Sequence, residues 1–390
     1  MSTVSVSPGV SLPMADGPIP VNPAAASAPS AAAARIAGYD VARAVAVLGM
    51  IVVNYYGIFR TSLKEPLLFA GLADFLCGRA AVLFVMLAGV GVTLLSRRPL
   101  LAGTAEAMGR FRKGMIGRCA VLLVMGGLFR LVWNADILHF YALFLSVGAG
   151  CVTFSARQLW RLVVAFWLTA ALLYVATLGD PGVPESWSAA GPFHLLVDDF
   201  LVSGYYAAFP WFAFLLVGIW FGRPTVMSRP EIHGRIFFWS LVLFVAAQLL
   251  MVLGPQAVSG QAGAEAPLAA LFENNAFPAS PLFALSAGSG AMLVLVAAMH
   301  LGRRPAFTAL VAALKSAGQL SLTVYIGHVL LGLAVAPLFK SSCAAAVYPY
   351  TVTLFLLVVM AGQLFFAHAW CRRFGRGPLE WLLRRLSGTG

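Results

Sequence analysis

The chain has 390 residues, of which 61% are hydrophobic and only 10% are charged, and its mean hydropathy is +0.88. A soluble protein of this length has no interior large enough for so much apolar side chain, so the composition excludes an ordinary soluble enzyme. The formal net charge is +12. In a soluble chain that balance would favour a nucleic-acid partner. In this apolar chain the basic residues instead set the orientation of helices in a membrane, and we expect no nucleic-acid partner.

Apolar stretches long enough to cross a bilayer, which takes about 20 residues each, follow one another along the sequence. They lie at roughly 37–59, 71–96, 116–133, 138–156, 160–179, 199–222, 236–253, 280–301, 319–339 and 348–369. Nearly all of the 26 Lys and Arg residues fall on alternate connections, which the positive-inside rule places in the cytoplasm. We predict an all-α, polytopic transmembrane helix bundle of about ten spans. Both termini are expected in the cytoplasm, and the bundle in a bacterial-type plasma (inner) membrane.

The two ends of the chain differ from this bundle, which we place at 35–371. Residues 1–34 are rich in Ala, Pro and Ser and contain no Lys or Arg, so they lack the basic start of a signal peptide. They predict a disordered cytoplasmic tail. Residues 372–390 are basic, and Gly377-Pro378 predicts the entry to a short interfacial helix.

Two further patterns bear on the interior. The six histidines and five cysteines show neither CxxC nor HExxH spacing, so the sequence predicts no metal site and no disulfide framework. Pro210 falls inside the sixth apolar stretch, where its missing N–H predicts a kinked helix.

The first predicted helix carries three polar side chains. Asp40 and Arg43 are spaced i,i+3 and share a face near the inner end, which predicts either a local ion pair or a contact with a phosphate or nucleotide. Asn54 lies about three turns further on, roughly 16 Å along the same face. Arg43 and Asn54 are therefore candidate substrate-binding residues together with Asp40.

The second predicted helix carries Asp74 and Arg79 near its outer end. Their spacing does not stack them on one face, so each is expected to find a partner elsewhere. A buried Arg needs an acceptor, and we consider Asp74 or Asp136 for that role. The alternatives are a structural ion pair and a catalytic group.

The turn between the third and fourth helices holds Arg130, Asn134, Asp136 and His139, which we place at the outer face. Asp136 suits a cap on free N–H groups at the start of a helix. It also suits a carboxylate that orients His139 as a general base. In the ninth helix His328 lies beside Tyr325, and the alternatives are a substrate-binding pair and ordinary packing.

Several stretches together resemble one group of membrane proteins, the YeiB-like family, which is related to transmembrane acyltransferases of the heparan-alpha-glucosaminide N-acetyltransferase type. The segments that carry the resemblance are Gly38–Met50, Gly78–Val90, Asp136–Leu143, Gly218–Arg223, Gly318–Tyr325 and Gly377–Trp381.

The resemblance implies a multi-helix fold that takes an acyl group from cytoplasmic acyl-CoA and passes it to a sugar across the membrane. Asp40 and Arg43 match the first-helix Asp and Arg of the family, while Asn54 stands where related enzymes often have His. An amide cannot act as a base, so His139 or His328 would have to take that role.

From this resemblance we expect a transmembrane acyltransferase with acyl-CoA as donor, an extracytoplasmic glycan or lipid-linked acceptor, and membrane lipids as partners. In this reading His139 is the base, Asp136 orients it, Arg79 or Arg130 stabilises an oxyanion, and Asp74 lies at the acceptor side. A homodimer is compatible with the sequence. The alternatives are a small-molecule transporter lined by Arg79, Arg130 and Asp74, and a non-catalytic membrane protein of the same fold.

Overall fold

The computed structural model describes residues 31–60, 67–177, 200, 205–227, 229–258, 271–304, 308–344 and 346–388. Within these ranges the chain is helical, and its one β feature is an isolated bridge between Ala276 and Ala279. The all-α prediction is confirmed. Of the predicted tail, residues 1–30 lie outside the described part, and the first helix begins at Ala31.

The described part of the chain contains the following helices, in chain order. They are α1 (Ala31–Phe59), α2 (Ala70–Leu76), α3 (Arg79–Ala102), α4 (Ala105–Arg130), α5 (Leu138–Cys151), α6 (Ala156–Thr177), α7 (Ala208–Phe221), α8 (Pro224–Met227), α9 (Pro230–Val258), α10 (Pro281–Leu301), α11 (Thr308–Gln319), α12 (Ser321–Ser342), α13 (Tyr348–Phe374) and α14 (Pro378–Leu386).

Seven stretches in the described part are long and apolar enough to cross a membrane, namely α2 joined with α3, and most or all of α1, α6, α9, α10, α12 and α13. Helices α5 and α7 are apolar but have only 14 residues each. Helix α4 has 26 residues, but its first half carries four charged residues, Glu106, Arg110, Arg112 and Lys113. The chain is thus a multi-pass membrane protein, while the predicted number of ten spans stays a prediction.

Helix α3 lies at the centre of the bundle and packs against α1, α7 and α10. Its crossing with α7 depends on two glycines. A Cβ on Gly89 would overlap the backbone of Leu215, and a Cβ on Gly218 would overlap the backbone of Met86. The two backbones therefore touch, which is the packing that small residues allow in membranes.

Helices α6 and α9 lie at the periphery. Only 17% of the most apolar window of α6 and 11% of that of α9 are buried inside the protein. Apolar residues that face away from the core in a membrane protein face lipid, so these two helices form the lipid-exposed flank of the bundle.

Pro210 lies near the start of α7. Phe209, just before it, has φ −101° and ψ 116°, which is not helical, so the helical run is kinked at this point. The predicted kink at Pro210 is therefore confirmed. A proline is tolerated in the first turn of a helix because its missing N–H has no intrahelical partner there.

One end of the bundle contains the start of α1, the end of α3, the first half of α4 with its three basic residues, and the whole of α14; we call it the basic end. Close contacts between helix backbones hold these segments together. A Cβ on Gly38 would overlap Met299 of α10, one on Gly318 would overlap Asp40 of α1, and one on Gly117 would lie 3.1 Å from the backbone of Ser387. The first and last described helices therefore meet at the same end.

Candidate active site

The Asp136–His139 pair is built by the turn that leads into α5. The Oδ2 atom of Asp136 accepts from the backbone N–H groups of Leu138 and His139 at 3.1 and 3.3 Å, so the carboxylate caps the helix as the sequence predicts. The same oxygen lies 3.0 Å from Nδ1 of His139. Asp136 is completely buried and the His139 side chain is 13% exposed. Asp136 therefore caps the start of α5 and contacts His139 at the same time.

Arg130 determines which nitrogen of His139 carries the proton. Its guanidinium lies 3.4 Å from Nε2 of His139, and a guanidinium can only donate. Nε2 must then be the acceptor, and Nδ1–H donates to Asp136. This is the tautomer that a general base needs, with its lone pair on the outward-facing nitrogen.

Tyr325 links α12 to this turn. Its hydroxyl donates to Oδ1 of Asp136 at 3.5 Å and accepts from the backbone N–H of Ile137 at 3.4 Å. Both oxygens of the buried carboxylate therefore have partners, which is what a buried charge requires. The sequence placed Tyr325 beside His328 but did not predict its contact with Asp136.

His328 lies one turn further along α12 and is also completely buried. Its Nδ1 lies 3.0 Å from the backbone oxygen of Val324, so Nδ1 is the donor. Nε2 then accepts from the side-chain amide of Asn54 at 3.0 Å. Asn54 thus occupies the lone pair of His328, as Arg130 occupies that of His139. His328 is the weaker candidate for a base because its Nδ1 meets a backbone oxygen, whereas Nδ1 of His139 meets a carboxylate that can stabilise the protonated ring.

A cavity of about 390 Å³ opens at the basic end; we call it the basic cavity. Its polar lining includes Asp40, Arg43, Arg118, Tyr141, Gln319, Ser321, Arg376, Glu380 and Arg384, and its apolar lining includes Phe84, Leu122, Leu138 and Leu383.

The lining of the basic cavity includes neighbours of His139 in α5. Leu138 and Tyr141, which line the cavity, flank His139 in α5, and a Cβ on Gly126 of α4 would lie against both Asp136 and His139. Arg118 precedes Arg130 on α4 by ~18 Å of helix rise. The cavity thus reaches from cationic side chains at the surface toward the residues that hold the histidine.

The first-helix residues Asp40 and Arg43 line this cavity. Asp40 and Arg43 form an ion pair with 3.3 Å between Oδ1 and the guanidinium. Gln319 donates to the other carboxylate oxygen at 3.4 Å, and Arg43 reaches the backbone oxygen of Gly318 at 3.5 Å. The predicted local ion pair is present, and it also lines a cavity.

Arg79 lies in a separate network. Its guanidinium donates to the backbone oxygen of Phe75 at 2.8 Å, to Asn274 at 2.9 Å and to Ser286 at 3.1 Å, and lies 3.4 Å from Gln248. Its charge also faces the ring of Phe75 at 4.9 Å. Neutral oxygens and aromatic faces therefore hold this cation, where the sequence placed Asp74 or Asp136.

Asp74 is exposed on α2, and no ion pair joins it to the described residues. The geometry thus brings together Asp136, His139, Arg130, Tyr325 and, one turn away, His328 with Asn54. It places Asp40 and Arg43 in the lining of the basic cavity. It does not bring Asp74 and Arg79 into contact with the histidine.

Sequence reasoning missed the cavity-lining residues outside α1. Glu380 accepts from the backbone N–H groups of Leu322 and Thr323 at 2.8 and 3.1 Å and from the Thr323 hydroxyl at 2.6 Å, so it caps α12 from another helix. Gln319 and Glu380 belong to the segments that carry the family resemblance, but their pairing with Asp40 and Thr323 leaves no local signal. No group of three or more metal-binding side chains was found in the described part of the chain.

Two protein families match this chain. Residues 35–258 match "Heparan-alpha-glucosaminide N-acetyltransferase, catalytic", and residues 221–389 match "Protein of unknown function (DUF418)", the YeiB-like group. The chain is also similar to "Uncharacterized protein YxaH" of Bacillus subtilis (strain 168), with 22% identity over 90% of this chain and 93% of that protein. The chain therefore belongs to the YeiB-like, heparan-alpha-glucosaminide N-acetyltransferase-type family of membrane acyltransferase-like proteins.

Proposed function

We propose that the protein moves an acyl group from cytoplasmic acyl-CoA to an extracytoplasmic glycan or lipid-linked acceptor. In this account ten helices cross a bacterial-type inner membrane, and both termini lie in the cytoplasm. The observation that carries the proposal is the basic cavity, which is lined both by arginines and by Leu138 and Tyr141, the residues that flank His139 in α5. The family of the chain, with its acetyltransferase catalytic match, supports the reaction class.

The positive charge of the basic cavity indicates where the acyl donor binds. The basic end holds Arg43, Arg118, Arg376 and Arg384 around one cavity, and an excess of Arg marks the cytoplasmic side of membrane proteins. Acyl-CoA is made in the cytoplasm and carries anionic phosphates, which guanidinium groups bind well. The acyl chain and its thioester would extend along Phe84, Leu122 and Leu138 toward the histidine.

The chemistry requires a base, and His139 is the best placed. Its Nε2 takes the proton of an acceptor hydroxyl, whose oxygen attacks the thioester carbonyl carbon. The C–S bond then breaks, and the imidazolium returns the proton to the leaving thiolate. Asp136 stabilises the imidazolium through Nδ1–H. Arg130, which contacts Nε2 in this structure, would move from the nitrogen to the developing oxyanion.

The test is transfer of label from radiolabelled acetyl-CoA into the lipid and glycan fractions of membranes that contain the protein. His139→Gln removes the base and should lower transfer by about 100-fold or more. His300→Gln is the matched control, because His300 lies in α10 and does not line the basic cavity. Equal transfer by His139→Gln and the unaltered protein would contradict the assignment.

The transporter alternative receives no support from the geometry. It needs Arg79, Arg130 and Asp74 along one pathway, but Arg79 is held by neutral partners and Asp74 is exposed on α2.

A further inference from the structure

The basic cavity has more positive than negative charge on its walls. Four guanidinium groups line it, from Arg43, Arg118, Arg376 and Arg384, against the two carboxylates of Asp40 and Glu380. Arg43 and Arg384 both act on Arg118 as like charges. Like charges gathered in one cavity repel each other unless an anion is placed among them.

Both carboxylates are already engaged. Asp40 pairs with Arg43 and accepts from Gln319, and Glu380 accepts from two backbone N–H groups and a hydroxyl at the start of α12. Neither carboxylate forms an ion pair with Arg118, Arg376 or Arg384 in the described part of the chain. Those three arginines are therefore available to bind an anionic ligand.

Helix α14 is attached so that Arg384 lines this cavity, and Arg376, just before its first turn, lines it as well. Glu380 ties its first turn to α12, the N–H of Leu379 donates to the Thr323 hydroxyl at 3.2 Å, and Leu383 is buried. The end of the helix packs against α4, where a Cβ on Gly117 would touch Ser387. Helix α14 is therefore a wall of the cavity as well as a helix at the basic end.

We propose that α14 is part of the donor site, where Arg376 and Arg384, with Arg118, bind a ligand that carries two or more phosphate groups. This inference rests on the proposed function for the identity of the ligand, which we take to be coenzyme A with its diphosphate. Without that function, the charge and the attachment of α14 still define a polyphosphate site.

Neighbouring arginines of the same segment supply matched controls. The charge of Arg385 lies 5.4 Å from the Trp381 ring and that of Arg373 lies 5.6 Å from the Phe374 ring, and neither side chain lines the cavity. The two controls and the two proposed ligands, Arg376 and Arg384, are all exposed. Replacing any of these four arginines therefore leaves the packing of the bundle unchanged.

The experiment measures binding of coenzyme A to the purified full chain in detergent by titration calorimetry. Arg376→Gln and Arg384→Gln should each weaken binding by about tenfold, because each removes charge-assisted hydrogen bonds to phosphate. Arg373→Gln and Arg385→Gln should bind coenzyme A as the unaltered protein does. Pantetheine, which lacks phosphate, should bind weakly and equally to all five proteins.

Equal loss of affinity in the control variants, or no loss in Arg376→Gln and Arg384→Gln, would overturn the proposal. So would a result in which vesicles of phosphatidylglycerol bind in an Arg384-dependent manner and coenzyme A does not, because the site would then hold a lipid headgroup. Inorganic diphosphate that competes with coenzyme A would support the proposal.

Different results would contradict the proposed acyl transfer and the proposed polyphosphate site. If coenzyme A binds through Arg376 and Arg384 but no label from acetyl-CoA reaches an acceptor, the polyphosphate site stands and the acyl transfer is wrong. If transfer proceeds and Arg384→Gln leaves the KM for acetyl-CoA unchanged, the transfer stands and the role of α14 is wrong.

Discussion

The Tyr325 hydroxyl donates to Oδ1 of Asp136 at 3.5 Å, across a sequence separation of 189 residues. This contact joins α12, whose first turn is capped by Glu380 of α14, to the turn that holds His139. Oδ2 of Asp136 thus orients His139. Oδ1 is hydrogen-bonded to Tyr325 of α12, the helix whose first residue, Ser321, lines the basic cavity. The arrangement fixes the position of His139 from two directions.

Asp136→Asn tests the orienting role of the carboxylate. The amide removes the negative charge that stabilises a protonated His139, so transfer of label from acetyl-CoA should fall by about 100-fold or more. Asp74→Asn is the control, because Asp74 is exposed on α2 and should leave transfer unchanged. A similar loss in both variants would show that Asp136 has no special role.

Tyr325→Phe tests the link between α12 and the turn. The change leaves the buried N–H of Ile137 and Oδ1 of Asp136 without their partner, which should destabilise the protein by about 1–3 kcal/mol. Thermal unfolding of the purified protein in detergent measures this as a lower Tm. Tyr350→Phe, at a tyrosine that is 63% exposed, should leave the Tm unchanged. An unchanged Tm for Tyr325→Phe would mean that these two groups are satisfied by something else.

Glu380→Ala tests the cap that ties α14 to α12. Three hydrogen bonds are lost at the start of α12, so we expect a loss of about 1–2 kcal/mol in the free energy of unfolding and weaker coenzyme A binding as α14 detaches. Glu106→Ala removes a carboxylate from an exposed pair with Arg110 and should cost less than about 1 kcal/mol. Calorimetry and thermal unfolding of both variants give the comparison, and equal effects would contradict the cap.

Gly89→Ala tests the central helix crossing. A methyl group there would overlap the backbone of Leu215, so α3 and α7 must move apart, at a cost of about 1–3 kcal/mol. Gly91→Ala is a close control on the same helix, because no atom lies within 4 Å of the added methyl group. Thermal unfolding should show a lower Tm for Gly89→Ala alone, and a lower Tm for Gly91→Ala of the same size would contradict the packing argument.

The contacts that could be predicted from the sequence are local. Asp40 with Arg43 and Asp136 with His139 are both spaced i,i+3, and helix geometry alone brings such side chains together. The length of the apolar stretches likewise predicted where most helices lie.

The contacts that could not be predicted join distant helices. Asn54 meets His328 and Tyr325 meets Asp136 because of how α1, α4, α5 and α12 pack, and no periodicity in one segment carries that information. The partners of Arg79 show a second limit. The expectation of a carboxylate followed from charge, whereas the structure surrounds the guanidinium with amide, hydroxyl and carbonyl oxygens from several segments.

Side-specific labelling tests most directly whether the basic cavity is the cytoplasmic donor site. Ser321→Cys places a thiol in the cavity lining at almost no change in volume, in a protein whose native reactive cysteines have been replaced. A membrane-impermeant thiol reagent should label it when added to the cytoplasmic side, and coenzyme A, but not pantetheine, should protect it. Labelling only from the opposite side of the membrane, or labelling that coenzyme A does not reduce, would contradict the account.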